Sequence, residues 1–223
     1  MLSKKQTQQA VEIMGKMFPN AQPSLDARTP FQYMISVMLS AQATDISVNK
    51  VTPKLFRDFP DPQAMAAASE TALQADIHSI GLYRNKAKHM KAASQALLDD
   101  FNGVVPSTRA ELMQLPGVGR KTADVVLADA FGIPAFAVDT HVTRVTKRLR
   151  MVPQKATVLE IEQRMMKLLP EDLWVTAHHR MIYFGRYHCL ARAPKCEQCP
   201  LLSMCADGQR RLGLKKKIKK NLT

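Results

Sequence analysis

Apolar residues recur three and four positions apart along most of the chain, and a polar capping residue precedes nearly every such run. Ser3 suits an N-cap ahead of Val11, Met14, Met17 and Phe18. Thr29-Pro30 is a cap followed by proline at the first helical position, then Phe31, Met34, Ile35 and Met38. Thr44-Asp45 opens a helix with Val48, Val51, Leu55 and Phe59 inward; Asp61-Pro62 starts another; Ser69 begins a short one ending near Ile80-Gly81. Residues 82–101 fit a long helix closed by Asn102-Gly103. Thr108 with Glu111, and Thr157 with Glu160, have capping-box spacing, the second ahead of Ile161, Met165 and Leu168. No run alternates at period two, and Val104-Val105 and residues 135–138 are too short to build a sheet. The pattern predicts an all-α protein of about ten short helices without an internal repeat. Gly132-Ile133-Pro134 reads as a linker because proline blocks helix continuation, and Val152-Pro153 breaks the chain again.

Composition narrows the class. At 223 residues the chain allows one domain or two small ones. With 46% hydrophobic and 23% charged residues it is not disordered throughout, and 9 Gly and 13 Pro exclude a fibrous protein. The longest uncharged stretch, 29–44, falls short of the ~20 residues a membrane span needs. The N-terminus, MLSKKQTQQAVEI, has no apolar signal region, so a cytoplasmic location without membrane association is expected.

Charge points to a partner. Lys+Arg is 32 against 19 Asp+Glu, a net +13, which suits a polyanion. Arg210, Arg211, Lys215, Lys216, Lys217, Lys219 and Lys220 supply part of it against Asp207 alone, but the body before them remains basic. Residues 209–223 read as a basic, disordered tail that adds sequence-independent affinity.

The segment Leu115-Pro116-Gly117-Val118-Gly119-Arg120-Lys121-Thr122 lies between two expected helices, together about 109–131. Pro116-Gly117 suits the centre of a type II turn, and Gly119 permits close backbone approach to another surface. The first N–H groups of the second helix and its positive dipole end suit a phosphate. A simple helix-hairpin turn would look the same, but Arg120-Lys121-Thr122 in a basic protein favours DNA backbone binding. By residue type alone Lys121 is a phosphate-binding lysine. Acting as a nucleophile requires a lowered pKa, and a helix N-terminus and Arg120 both disfavour its ammonium. Asp139, after the apolar run at 135–138, is by type a helix N-cap.

All four cysteines fall in one pattern, Cys189-x6-Cys196-x2-Cys199-x5-Cys205. Four thiolates can enclose tetrahedral zinc, usually from two C-x-x-C pairs, or carry a [4Fe–4S] cluster. Only Cys196/Cys199 forms such a pair, and spacing alone leaves both open.

The 115–122 segment resembles the helix-hairpin-helix of the endonuclease III family of DNA glycosylases. Phe136-Ala137-Val138-Asp139-Thr140-His141-Val142, Ser40-Ala41-Gln42-Ala43-Thr44-Asp45 and Ser79-Ile80-Gly81-Leu82-Tyr83-Arg84-Asn85-Lys86-Ala87 resemble the same family, so the likeness covers roughly 1–208. The resemblance implies two helical domains with a cleft between them: a six-helix domain at 23–133, and 1–22 joined to 134–208 carrying a [4Fe–4S] cluster on the four cysteines. It implies a monomeric base-excision repair enzyme that removes oxidised pyrimidines from double-stranded DNA and cuts 3′ of the abasic site by β-elimination. Lys121 would form the Schiff base and Asp139 would be the catalytic carboxylate. Gln42 and Leu82 would fill the gap left by an extruded nucleotide, although by type they are a surface amide and a core residue. Gly117, Gly119, Arg120, His141, Arg192 and Lys195 would contact DNA; for His141 a structural role competes. One departure is Asp124, where the family often has Asn; its charge is expected to weaken nearby phosphate contact. The nearest rival, an adenine-mismatch glycosylase of the same superfamily, needs a carboxylate where this chain has the Ser36-Val37-Met38-Leu39 stretch, and lacks the hairpin lysine. A DNA-binding module with structural zinc is the rival from another class.

Overall fold

The computed structural model describes residues 1–214, all helix, turn and loop with no strand among them. The helices are α1 (Lys4–Met17), α2 (Pro30–Leu39), α3 (Asp45–Asp58), α4 (Pro62–Ala67), α5 (Glu70–Ile77), α6 (Tyr83–Phe101), α7 (Arg109–Leu112), α8 (Arg120–Phe131), α9 (Thr140–Arg148), α10 (Val158–Leu168), α11 (Trp174–Tyr187) and α12 (Ala206–Arg211). Single 3-10 turns stand at Glu171–Leu173, Cys196–Gln198 and Leu202–Met204. Side chains of Ser3, Thr29, Thr44, Asp61, Ser69, Thr108 and Thr157 each cap the helix that follows. Thr157/Glu160 closes a full capping box. At Thr108 the Glu111 carboxylate accepts from the hydroxyl instead, so that box is half formed. The Ser69 helix stops at Ile77, and a turn bonded from Ile80 N–H to the Ile77 carbonyl leads on to Leu82.

The chain divides into two compact units, 23–135 and 1–22 with the chain from Phe136 onward. In the first, α2 is the axis: every residue from Phe31 to Leu39 is buried, so helices pack it on all sides. This accounts for the absence of charge at 31–39 within the uncharged run. α8 and α6 pack against it, and the Tyr33 hydroxyl donates to Asp129 of α8 at 2.7 Å. Burial and the Asp129 carboxylate push the Tyr33 phenol above its ordinary range, so it stays a donor. Gly132 ends α8 in the left-handed conformation at φ 66°, with Ile133 N–H returning to the Leu127 carbonyl.

The second unit is discontinuous. Met14 of α1 joins Phe136, Val142, Val145, Ile161, Met165, Met181 and Phe184 in one core. The N-terminal strand of backbone is tied in by Leu2 N–H on the Arg150 carbonyl at 2.9 Å. Trp174 is partly buried against this core and donates Nε1 to the Leu169 carbonyl. Among the described residues no helix is long and apolar enough to cross a membrane.

Candidate functional site

The hairpin between α7 and α8 turns at Pro116-Gly117, closed by Val118 N–H on the Leu115 carbonyl at 3.0 Å. Gly117 has φ 82°, the value a type II turn requires at that position. A Cβ there would stand 2.8 Å from His89 Cβ of α6, so the turn is pressed against that helix. Gly119 N-caps α8 without a side-chain cap, and among the described residues a Cβ added there would meet nothing within 4 Å beyond its chain neighbours. Nothing among those residues presses on Gly119 at the point where a Cβ would stand. Arg120 and Lys121 are the first two residues of α8, Lys121 exposed.

Asp124 differs from expectation. It is 1% exposed, and its Oδ1 accepts from Arg109 Nε of α7 at 2.5 Å. Its charge is matched inside the hairpin, so the expected repulsion of phosphate has no source; the pair instead ties α7 to α8.

Gln42 and Leu82 sit in the same unit, and both hold left-handed backbone, φ 56° and 60°, without being glycine. Both are exposed, Leu82 by 58%, which excludes the core role its type suggests.

In the other unit Asp139 N-caps α9, with Oδ1 accepting from Val142 N–H at 2.8 Å. The extended backbone before it is held by His178, a buried ring whose Nδ1 donates to the Ala137 carbonyl at 2.8 Å. His141 packs closely on α11: a Cβ at Gly185 would lie 2.9 Å from His141 Cβ, and Arg144 donates to its Nδ1. Burial lowers the His141 pKa, and Arg144 and Arg186 add to this against the pull of Asp139. These are contacts of a packed histidine.

The four thiols line one cavity with Phe184 and Leu149. Arg148, in the last turn of α9, donates to the carbonyls of Cys189, Leu190 and Ala191 and to Cys189 Sγ at 3.4 Å, and pairs with Asp207 at 3.7 Å. Gly208 N–H donates to Cys205 Sγ at 3.3 Å. Burial pushes the Cys196, Cys199 and Cys205 thiols up, Cys199 to about 11, and each neighbouring thiolate adds to it. Four ionised sulfurs in this space require a strongly cationic group among them, and N–H donors to sulfur suit an iron–sulfur cluster. Arg192 and Lys195 are exposed on the loop after Cys189.

The tail expectation holds no further than its sequence. Gln209, Arg210 and Arg211 belong to α12, where both arginines pair with Asp207 and Gln209 Nε2 donates to the Leu202 and Ser203 carbonyls. Residues 215–223 lie outside the described residues. Arg148 and His178 were not read from the sequence as holding these contacts; the signal that could have found Arg148 is its i, i+4 spacing from Arg144 on α9.

Residues 35–171 match the HhH-GPD superfamily of base excision DNA repair proteins, and 189–205 match the iron–sulfur binding domain of endonuclease III. Endonuclease III of Bacillus subtilis strain 168 is 50% identical over 211 residues, 95% of this chain and 96% of that one. The chain belongs to the endonuclease III family. Escherichia coli K12 endonuclease III is 44% identical over 187 residues, 84% of this chain and 88% of that one. A trapped endonuclease III–DNA covalent intermediate, an estranged-adenine complex, matches with a TM-score of 0.92 at 51% identity, over 95% of this chain and all of that one. Endonuclease III proteins are base-excision DNA glycosylases with abasic-site lyase activity, they bind damaged DNA, and they carry a [4Fe–4S] cluster. The last decides between zinc and iron in favour of iron, and the matched iron–sulfur domain spans the four cysteines.

Proposed function

We propose that this endonuclease III excises oxidised pyrimidines, with Lys121 as nucleophile and Asp139 as the catalytic carboxylate. The Lys121 amine attacks the sugar C1′ as the C1′–N bond breaks and its electron pair leaves with the base. The C1′–O4′ bond then opens as O4′ takes up a proton, and the ring-opened sugar is held as an imine on the lysine nitrogen. Loss of a C2′ proton then expels the 3′ phosphate oxygen and cuts the strand. Asp139 takes a proton from the lysine ammonium or stabilises positive charge on the sugar; its cap uses Oδ1 alone. The cluster supplies none of these steps. Cys189, Cys196, Cys199 and Cys205 would hold it, and holding it would fasten the 189–205 loop with Arg192 and Lys195, which we assign to DNA phosphates.

One observation carries the assignment. Lys121 is exposed in the first turn of α8, whose N-cap Gly119 has no side-chain cap and open space where a Cβ would stand. Gly117, Gly119 and Arg120 are assigned to the phosphate at that helix start. Gln42 and Leu82 are assigned to the gap in the stack, and His141 to a DNA contact made through its place on α9. The rival adenine-mismatch chemistry lacks its carboxylate: the side chain at Ser36 is a hydroxyl buried in α2. We place the protein in the cytoplasm, as a monomer on DNA.

Borohydride reduction in the presence of abasic-site DNA tests the nucleophile, because hydride converts the imine to a stable amine. The wild type should give a covalent adduct. Lys121→Ala should give none while still binding abasic DNA; an adduct of wild-type yield would remove Lys121 from this role.

A further inference from the structure

Lys86 is 7% exposed, an unusual place for a lysine, and the reaction proposed above gives it no task. Its Nζ donates at 2.9 Å to the carbonyl of Leu39, the last residue of α2. Carbonyls at a helix C-terminus have no partner within the helix, so this bond fixes where α2 ends. Gln42 follows three residues later. On the other side, Lys86 N–H bonds the Leu82 carbonyl at 3.1 Å, which places Lys86 one turn into α6 from Leu82. A single side chain thus joins the turn before Gln42 to the turn after Leu82. The three line one pocket with Met38, Asn85 and His89.

Both left-handed residues cost energy. A non-glycine residue in that conformation is disfavoured by roughly 1–2 kcal/mol, and it persists only where its surroundings over-determine it. The two loops therefore need an external tie. Burial lowers the Lys86 ammonium pKa from its ordinary value, so the amine is held there at a cost that an apolar side chain of equal length would avoid.

We propose that Lys86 is a positioning residue that clamps the Gln42 and Leu82 loops at a fixed separation, so that both enter the base stack together. The inference rests on the assignment of Gln42 and Leu82 as the inserted residues, and it goes beyond that assignment by naming what sets their spacing.

Lys86→Met keeps the stem and removes the bond. The readout is 2-aminopurine placed next to a tetrahydrofuran abasic analogue in duplex DNA, whose fluorescence rises when the stack opens. Single-turnover excision of an oxidised pyrimidine from duplex DNA, and cleavage of an abasic site in single-stranded DNA, are measured beside it. Lys86→Met should lose most of the fluorescence rise and excise from duplex about tenfold more slowly, the equivalent of about 1.4 kcal/mol. Cleavage of single-stranded abasic DNA, which has no stack to open, should stay at the wild-type rate.

Leu82→Ala separates the two ideas. If it keeps the full fluorescence rise and duplex excision, the insertion assignment fails and the clamp with it. If Leu82→Ala is defective and Lys86→Met is not, the clamp alone fails. A Lys86→Met chain that does not fold, or that loses single-stranded cleavage to the same degree, makes Lys86 a general structural residue and overturns the proposal.

Discussion

Asp139 shows how one residue can satisfy two readings. Its Oδ1 satisfies an N–H at the start of α9, and a carboxylate beside a developing cation acts through its charge rather than through that bond. Asparagine retains the cap, since Asn and Asp are comparable at this position. Asp139→Asn should therefore fold with stability within about 0.5 kcal/mol of wild type, yet excise an oxidised pyrimidine about 10²–10³-fold more slowly, on the scale of losing one oriented electrostatic partner. Pre-formed abasic sites need no base expulsion, so their cleavage should suffer less. Parallel single-turnover assays on the two substrates check this, and equal losses on both would leave Asp139 without the charge role. Leu82 is the converse case. Its type predicts the core, while its place at 58% exposure in left-handed backbone follows from the turn it occupies. Only the likeness to a family suggested the insertion role proposed for it. Lys86 stands in a segment that carries the family likeness, yet neither kind of reading gave its contact, because residue type places lysine on the surface and its partner is a backbone carbonyl 47 positions away.

Helices were legible where the information is local. A capping hydroxyl or carboxylate, a proline at the first turn and a left-handed closing residue act within four positions, and the starts of α1 to α5 follow them. α2 was legible from its Thr29-Pro30 start and helical spacing, but its burial on all sides was not, because a periodic reading looks for one apolar face. One element escaped for a physical reason. α12 lay hidden in a basic run because Asp207, taken alone, looks like a minor counter-charge, whereas it accepts from both Arg210 and Arg211 and pairs with Arg148. At this scale the hairpin makes a direct demand. Alanine at Gly117 would meet left-handed strain of about 1–2 kcal/mol, and its Cβ would stand 2.8 Å from His89 Cβ, closer than packed carbons approach. Gly117→Ala should lower stability by about 2–3 kcal/mol, and abasic DNA affinity should fall with it because the start of α8 moves. Denaturant midpoints and binding titrations measure the two; an unchanged midpoint would mean that the turn relaxes without cost.

The whole molecule carries +13, and its basic C-terminus contributes in two distinct ways. Arg210 and Arg211 are committed to Asp207 within α12, and Gln209 holds the carbonyls of the 202–204 turn beside the cysteines. A deletion starting at Gln209 would thus disturb the iron–sulfur segment. A deletion after Leu214 removes Lys215, Lys216, Lys217, Lys219 and Lys220 and leaves α12 whole. Each phosphate neutralised adds about −0.9 to the slope of log K against log salt. That shorter chain should bind duplex DNA with a flatter slope, keep its melting temperature and visible absorbance, and turn over normally at saturating DNA. An unchanged slope would show that those lysines do not meet phosphate.

Arg109 and Asp124 stand on different helices of the hairpin, and the carboxylate is almost wholly enclosed. Their tie sets the smallest piece of this protein that can be exchanged with a relative. A swap of α8 alone, bringing asparagine at 124, would remove the carboxylate that Arg109 meets; a swap of α7 alone would take that guanidinium away from an enclosed carboxylate. The two helices and the loop between them should therefore be exchanged together in any chimaera, even though neither residue touches a nucleotide in the proposed reaction.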